Sequence, residues 1–229
     1  MDFFEDSVFF GVTVSILTYL AGCLLQKKFR LAIFNPLLIS VIAIVIILVT
    51  SHIEYEVYYS GAKYLSWLLT PATVCLAVPL YEKTELLKKN WKAIFAGILS
   101  GVLTTMFSVF VLGSMFRLSH EEYVTLLPKS ITTAIGMGVS AELGGHVTIS
   151  VAIIIITGIL GNMFASVICR VFKITQPVAR GIAIGSSSHA IGTAKALEMG
   201  ETEGAMSSLS IAVSGLLTVV IAPFFSKLI

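Results

Sequence analysis

Long uninterrupted stretches of apolar residues alternate along this chain with short polar segments, and no stretch alternates with period two. Six apolar runs stand out, at Val8–Leu25, Leu31–Thr50, Tyr64–Leu80, Ala93–Phe116, Val147–Cys169 and Ala205–Phe225, each of 17 to 24 residues. A helix of about 20 residues crosses the hydrocarbon layer of a bilayer. Backbone N–H and C=O groups in hydrocarbon have no water to bond, so such segments pair their own polar groups as helices. Runs this long and rich in Ile, Val and Leu exclude an outer-membrane barrel. The expectation is an all-α polytopic membrane protein with six full transmembrane helices, folded as a single membrane domain over 1–229.

Composition agrees. Of 229 residues, 56% are hydrophobic and 12% charged, with mean hydropathy +0.95. A soluble domain carries about 25% charged residues, so this chain has half the charge needed to cover an aqueous exterior. The net charge of +2, with no basic cluster interleaved with aromatics, argues against nucleic acid as a partner. Cys23, Cys75 and Cys169 are far apart and show no CxxC or Cys/His spacing, so neither zinc nor a disulfide framework is expected, and the thiols are inert. The acidic start, Met1-Asp-Phe-Phe-Glu-Asp, is the reverse of a basic signal n-region.

Lysine and arginine set the orientation. Three loops, Gln26–Arg30, Tyr81–Lys92 and Arg170–Arg180, hold 10 of the 15 basic residues, which places them on the cytoplasmic side. The N-terminus and the loops Ser51–Lys63 and Arg117–Lys129 then face outward. Between the second and third cytoplasmic loops the chain crosses an even number of times, and Ala93–Phe116 with Val147–Cys169 supply two crossings. The extra apolar piece Ser130–Ala141, 12 residues or about 18 Å as a helix, is therefore a half-helix that enters and returns. Val178–Ala196 is the second odd segment. Its Gly185-Ser186-Ser187-Ser188-His189 centre is too polar to face lipid, so it is broken or re-entrant. Whether it crosses fully is open. Pro128 precedes Gly136 by eight residues and Pro177 precedes Gly185 by eight, the grammar of an inverted repeat, and paired interrupted segments mark the binding sites of transporters.

Candidate chemistry gathers in these two segments. Lys129, Ser130, Thr132 and Thr133 open the half-helix. Ser130 is a good N-cap type, and a helix N-terminus beside a lysine suits an anion. Snorkelling of Lys129 to the interface is the alternative of equal weight. Glu142 closes the segment; it would bind a coupling proton or cation or pair with Lys129 or Lys195, unless it surfaces as a solvated loop acid. Ser186, Ser187, Ser188, His189, Thr193 and Lys195 form the richest polar stretch, with His189 a second candidate for the coupling proton. His189 and Thr193 share a helix face, and Lys195 and Glu198 are spaced to pair. No Gly-x-Ser-x-Gly elbow accompanies the serines, so solute or ion coordination outweighs catalysis, and the chain is not expected to be an enzyme. Asn35, Pro71, Thr73, Pro79, Asn162 and Glu198 are candidate pathway or gating positions, with kinked scaffold helices the commoner explanation for the prolines. Asn162 is expected to make an interhelical hydrogen bond. No cofactor or metal site is expected.

The run Leu127-Pro128-Lys129-Ser130-Ile131-Thr132-Thr133-Ala134, then Glu142-Leu143-Gly144-Gly145, then Ser188-His189-Ala190-Ile191-Gly192-Thr193-Ala194-Lys195-Ala196-Leu197-Glu198-Met199-Gly200-Glu201, resembles the LrgB/CidB family, as does Pro71–Tyr81. The resemblance covers essentially the whole chain. It implies either a holin- or antiholin-like modulator of murein hydrolase activity and cell lysis, or a secondary transporter of small carboxylates of the pyruvate or glycolate type. It also implies a small LrgA/CidA-type membrane partner. A homo-oligomer is compatible with either role. The chain carries only the LrgB-like part and no transit peptide, which points to the bacterial plasma membrane, with carboxylate transport the favoured role.

Overall fold

The computed structural model describes residues 9–29, 34–75 and 77–229, with the backbone alone at Leu69, Thr70, Thr73, Pro79 and Leu80. The N-terminal acidic residues and Arg30, on which part of the orientation rests, lie outside the described residues. Among the described residues the secondary structure is entirely helical. Contacts divide the chain into two compact units, Met1–Cys75 and Leu76–Ile229.

In the first unit, α1 (Phe10–Phe29) packs against α2 (Pro36–Thr50) and α3 (Tyr55–Trp67). Asn35 starts α2 by accepting hydrogen bonds from the amides of Leu37 and Leu38 at 2.9 and 3.2 Å, with Pro36 in the first turn, where its missing N–H costs nothing. Gly22 lets α1 meet that turn: a Cβ there would stand 2.8 Å from Pro36 Cα. Ser15 Oγ meets Tyr58 OH at 2.7 Å, and Thr18 Oγ1 meets Ser40 Oγ at 2.9 Å. The unit ends with α4 (Leu69–Cys75).

The second unit begins with α5 (Ala77–Glu82) and the long α6 (Thr84–Phe116), followed by α7 (His120–Leu126), α8 (Thr133–Glu142), α9 (Val147–Val171), α10 (Pro177–Met199) and α11 (Glu201–Phe225), with a closing 3-10 turn at Ser226–Leu228. α10 is the central element, packed against α6, α9 and α11. One core joins Val102, Met106 and Val109 of α6 to Tyr123 and Val124 of α7, Ile131, Val139 and Ala222; a second joins Ile94 and Ile98 to Ile182, Ala205 and Met206. Tyr123 is fully buried and its hydroxyl donates to the Phe225 carbonyl at 3.0 Å.

Among the described residues four helices, Phe10–Phe29, Thr84–Phe116, Val147–Val171 and the last, Glu201–Leu228 counting its closing turn, are long and apolar enough to cross a bilayer. Between 17% and 33% of their apolar windows is buried, so most of that apolar surface points outward. Phe107, Leu112, Ile156, Val167, Leu216 and Phe224 are among the exposed side chains. An exterior of that kind belongs in lipid.

Several expected boundaries shift. The second apolar run appears as a 15-residue helix, Pro36–Thr50. The third departs from the expected bounds: α3 begins in what reads as the outer loop 51–63 and ends at Trp67, and α4 follows from Leu69. α6 starts at Thr84, inside the expected loop 81–92, because Thr84–Lys92 contains good helix formers that extend the apolar helix downward. The outer loop 117–129 contains α7, closed by a capping box in which Ser119 Oγ accepts from the Glu122 amide and Glu122 Oε2 accepts from Ser119 N–H at 2.8 Å.

Ile98 is 1% exposed and Phe107 60%. Ile98→Ala is therefore expected to cost about 2 kcal/mol or more, and Phe107→Ala no more than about 0.5 kcal/mol, in reversible unfolding from micelles. The Ser119 amide and hydroxyl hold the Glu122 carboxyl below its ordinary value of 4.5. A lowered carboxyl stabilises α7 above that value and loses its contribution as pH falls through the folded pKa. Amide-exchange protection of α7 is expected to drop on acidification in the wild type and to vary less with pH in Glu122→Gln.

Candidate functional site

The polar residues singled out in the sequence fall at two places in the second unit. The first is the turn from α7 into α8. Leu127 is fully buried and Ser130 and Ile131 nearly so, which fixes this connection against α6. Lys129 is half-buried and its ammonium donates to Ser130 Oγ at 3.3 Å. The N-cap of α8 is Thr132 rather than Ser130, and its side chain makes no capping hydrogen bond. Ser130 is thereby released from the capping role the sequence gave it, because the chain stays non-helical through Ile131 and the extended Thr132. α8 itself has ten residues, about 15 Å of helix.

The second place is the middle of α10. His189 has φ 41° and ψ −143°, outside any helical region, so two helical segments meet there. A non-glycine residue at positive φ is uncommon and costs roughly 1–3 kcal/mol. Hydrogen bonds hold the break in place. His189 Nε2 lies 2.9 Å from the Ile154 carbonyl, which can only accept, so this nitrogen carries the proton. Asn162 Nδ2 donates to the Ile191 carbonyl at 2.8 Å, the interhelical bond expected of it. Thr193 Oγ1 donates to the His189 carbonyl at 3.0 Å and lies 2.7 Å from Ser207 Oγ of α11. Glycines on α9 make the room: a Cβ on Gly158 would meet His189 Cε1 at 2.6 Å, and one on Gly161 would overlap Ser188 Oγ.

The turn before α8 and the stretch of α10 ahead of His189 share a cavity. A groove of about 790 Å³ runs between α6 and α10 from Leu86, Asn90 and Gln176 to Thr105, Ser186 and Ser187. Thr105 and Ser186 also line an internal cavity of about 10 Å³, together with Ser130, Ser214 and Thr218. That is the space of a single water. Ser214 Oγ is buried and has no hydrogen-bond partner. Ser130 of the connection before α8 and Ser186 of α10 thus meet on one hydroxyl-lined void, and the Lys129 ammonium lies 3.3 Å from Ser130 Oγ.

The other contacts of the expected residues are local or lie away from the void. Ser186 and Ser187 donate back to the Ile182 and Ala183 carbonyls, each at 2.7 Å, and Ser187 Oγ lies 3.0 Å from Ser188 Oγ. Thr133 sits half-buried in the first turn of α8. Lys195 pairs with Glu198 at 2.7 Å, as their spacing implies, so Lys195 is not joined to Glu142. Glu142 is exposed at the end of α8, the solvated position that was the other alternative for it. Asn35 is the helix cap described above and belongs to the first unit. Pro71 is exposed within α4. The side chains of Thr73 and Pro79 lie outside the described residues. The Pro-to-Gly grammar is only partly structural: Pro177 is the first residue of α10, whereas Pro128 stands in the turn ahead of α8.

The LrgB-like family model matches residues 15–228. The chain belongs to the LrgB-like family. It is 38% identical over 212 residues to proteins named holin-like protein CidB in Staphylococcus epidermidis and Staphylococcus aureus, covering 93% of each sequence. It is 33% identical over 222 residues to the antiholin-like protein LrgB of Bacillus cereus, covering 96% of each. No solved structure matches the chain. The relatives are named holin-like and antiholin-like.

Two polar features of this LrgB-like chain escape a reading of the sequence. The hydroxyls of Ser207, Ser210, Ser214 and Thr218 are all buried along α11, where Ser207 meets Thr193 and Ser214 faces the cavity. Their three- and four-residue spacing within an apolar run is the signal that marks a single helix face. Ser150 Oγ bonds the Thr125 carbonyl and Ser140 Oγ, both at 2.8 Å, tying α7, α8 and α9 together. No short-range pattern announces that cluster.

Gly161→Ala is expected to destabilise the protein by about 3 kcal/mol through the overlap with Ser188. Gly138→Ala, whose Cβ would meet nothing within 4 Å, is expected to be neutral or mildly stabilising. Thermal unfolding of the two purified variants checks the contrast.

Proposed function

We propose that this LrgB-family protein is a secondary transporter of small carboxylates of the pyruvate or glycolate type, acting in the bacterial plasma membrane with an LrgA/CidA-type partner. The observation that carries this reading is the void shared by Ser130 and Ser186, reached along the α6–α10 groove and flanked by the Lys129 ammonium. Hydroxyls and a lysine are hydrogen-bond donors suited to a carboxylate. Polar backbone breaks are costly in lipid and are tolerated where they line a pathway.

In this reading α8 is a re-entrant half-helix, since its ten residues reach about half of a roughly 30 Å core. α10 is the opposing interrupted segment, and the two form the inverted pair whose ends face the solute. Lys129, Ser130, Thr132 and Thr133 approach from outside; Ser186, Ser187, Ser188 and Thr193 approach from the cytoplasmic side. His189 handles the coupling proton in this reading, which its burial and the exposure of Glu142 support. The N-terminus faces outward.

The names of the relatives favour a second reading, a holin- or antiholin-like assembly; in that reading the chain modulates murein hydrolase activity and lysis. The two readings separate in liposomes. Purified protein, with and without the partner, is expected to exchange labelled pyruvate or glycolate while retaining an uncharged dye. Lys129→Ala and Ser188→Ala are expected to lower that flux at least tenfold with thermal stability kept. Non-selective dye release supports the holin-like reading instead, and wild-type flux in both variants removes the site.

A further inference from the structure

A second hollow, of about 470 Å³, lies between the end of α9 and the start of α10 and takes no part in the groove described above. Its lining includes Arg170, Lys173 and Arg180, with Ser166, Cys169 and Thr175 between them. Arg180 is held in place: its Nε donates to the Ile174 carbonyl at 2.8 Å, and its guanidinium stands 3.7 Å from the buried Glu203 carboxylate. Arg170 and Lys173 are exposed, and among the described residues neither has a carboxylate partner. Three cations thus surround one hollow against a single carboxylate, and that carboxylate is already engaged by Arg180. α10 opens at Pro177 without a side-chain cap, so the positive end of its dipole adds to the same field.

We propose that this hollow binds a phosphate-bearing anion. The guanidiniums of Arg170 and Arg180 suit the geometry of phosphate oxygens, and Lys173 adds a point charge. A basic recess of this kind between membrane helices accepts an anionic lipid headgroup or a free phosphate group by the same chemistry. Binding here does not depend on solute passing through the α6–α10 groove, so the two readings fail separately.

The backbone provides a clean test. Lys173 has φ 54° at the end of α9, where the Ile174 and Lys173 amides close back on the Cys169 and Arg170 carbonyls. Glycine is the usual residue at such a position, so Lys173→Gly removes a charge without straining the fold. Arg117, with φ 54° at the end of α6, permits the same change away from the hollow. Thermal unfolding of the purified full-length chain would be measured in micelles with phosphatidylglycerol against phosphatidylcholine, and with sodium phosphate against sodium chloride of equal ionic strength.

The wild type and Arg117→Gly are expected to gain of the order of 5 °C near saturation, and Lys173→Gly and Arg170→Gln to lose most of that gain. A gain with phosphatidylglycerol alone identifies a lipid headgroup, and a gain with phosphate as well identifies a free phosphate group. An equal gain in Lys173→Gly and Arg117→Gly, or no gain in the wild type with either probe, overturns the proposal.

Discussion

An interrupted helix among membrane-length helices can persist only if every backbone group it frees finds a partner inside the protein, since hydrocarbon supplies none. At the break at His189 two carbonyls of α10 are taken by side chains, one from the neighbouring α9 and one from α10 itself. Asn162 of α9 takes the Ile191 carbonyl, Thr193 takes the His189 carbonyl and is itself met by Ser207 of α11, and the His189 ring closes on the Ile154 carbonyl. The apolar lengths of α9 and α11 hold this arrangement in place, but its polar detail is what lets α10 bend at its centre.

Bending has a steric condition as well. Gly158 and Gly161 clear space on α9 for His189 and Ser188, and Gly185 lets α10 approach Ser207, where a Cβ would stand 2.8 Å from Ser207 Cα. Close approach of small residues is the main source of helix association where lipid tails are as apolar as the helices. The same closeness brings the α10 serines to the hydroxyl face of α11 and to the turn before α8, leaving Ser214 unpaired on a void the size of one water.

Much of this was legible in the chain. The break near Ser188, the Lys195–Glu198 pair, the Asn162 hydrogen bond and the shortness of the helix after Pro128 all follow from local rules: polarity in an apolar context, spacing on a helix, and length. The helix over 55–67 was not legible, because its run of tyrosines and charged residues reads as an interfacial loop. The capping role of Ser130 was misassigned, since either Ser130 or Thr132 satisfies the local preference and burial of Leu127 and Ile131 against α6 chooses between them. The Arg180–Glu203 pair joins residues 23 positions apart, and no pattern at that range distinguishes it from two solvated charges.

Hydrophobic run length, charge placement and the density of small and hydroxylated residues determined by themselves that this LrgB-family chain is helical, apolar on its outside and broken in α10. Those properties depend on transfer between water and hydrocarbon and on bonding within a few residues, which local sequence encodes. Only the tertiary structure decided which serines face one another, that Ser130 and Ser186 line a common void, and that Glu142 stands apart from both lysines. Such placements depend on how α6, α9, α10 and α11 cross, and a crossing is set by the summed fit of side chains far apart in the chain.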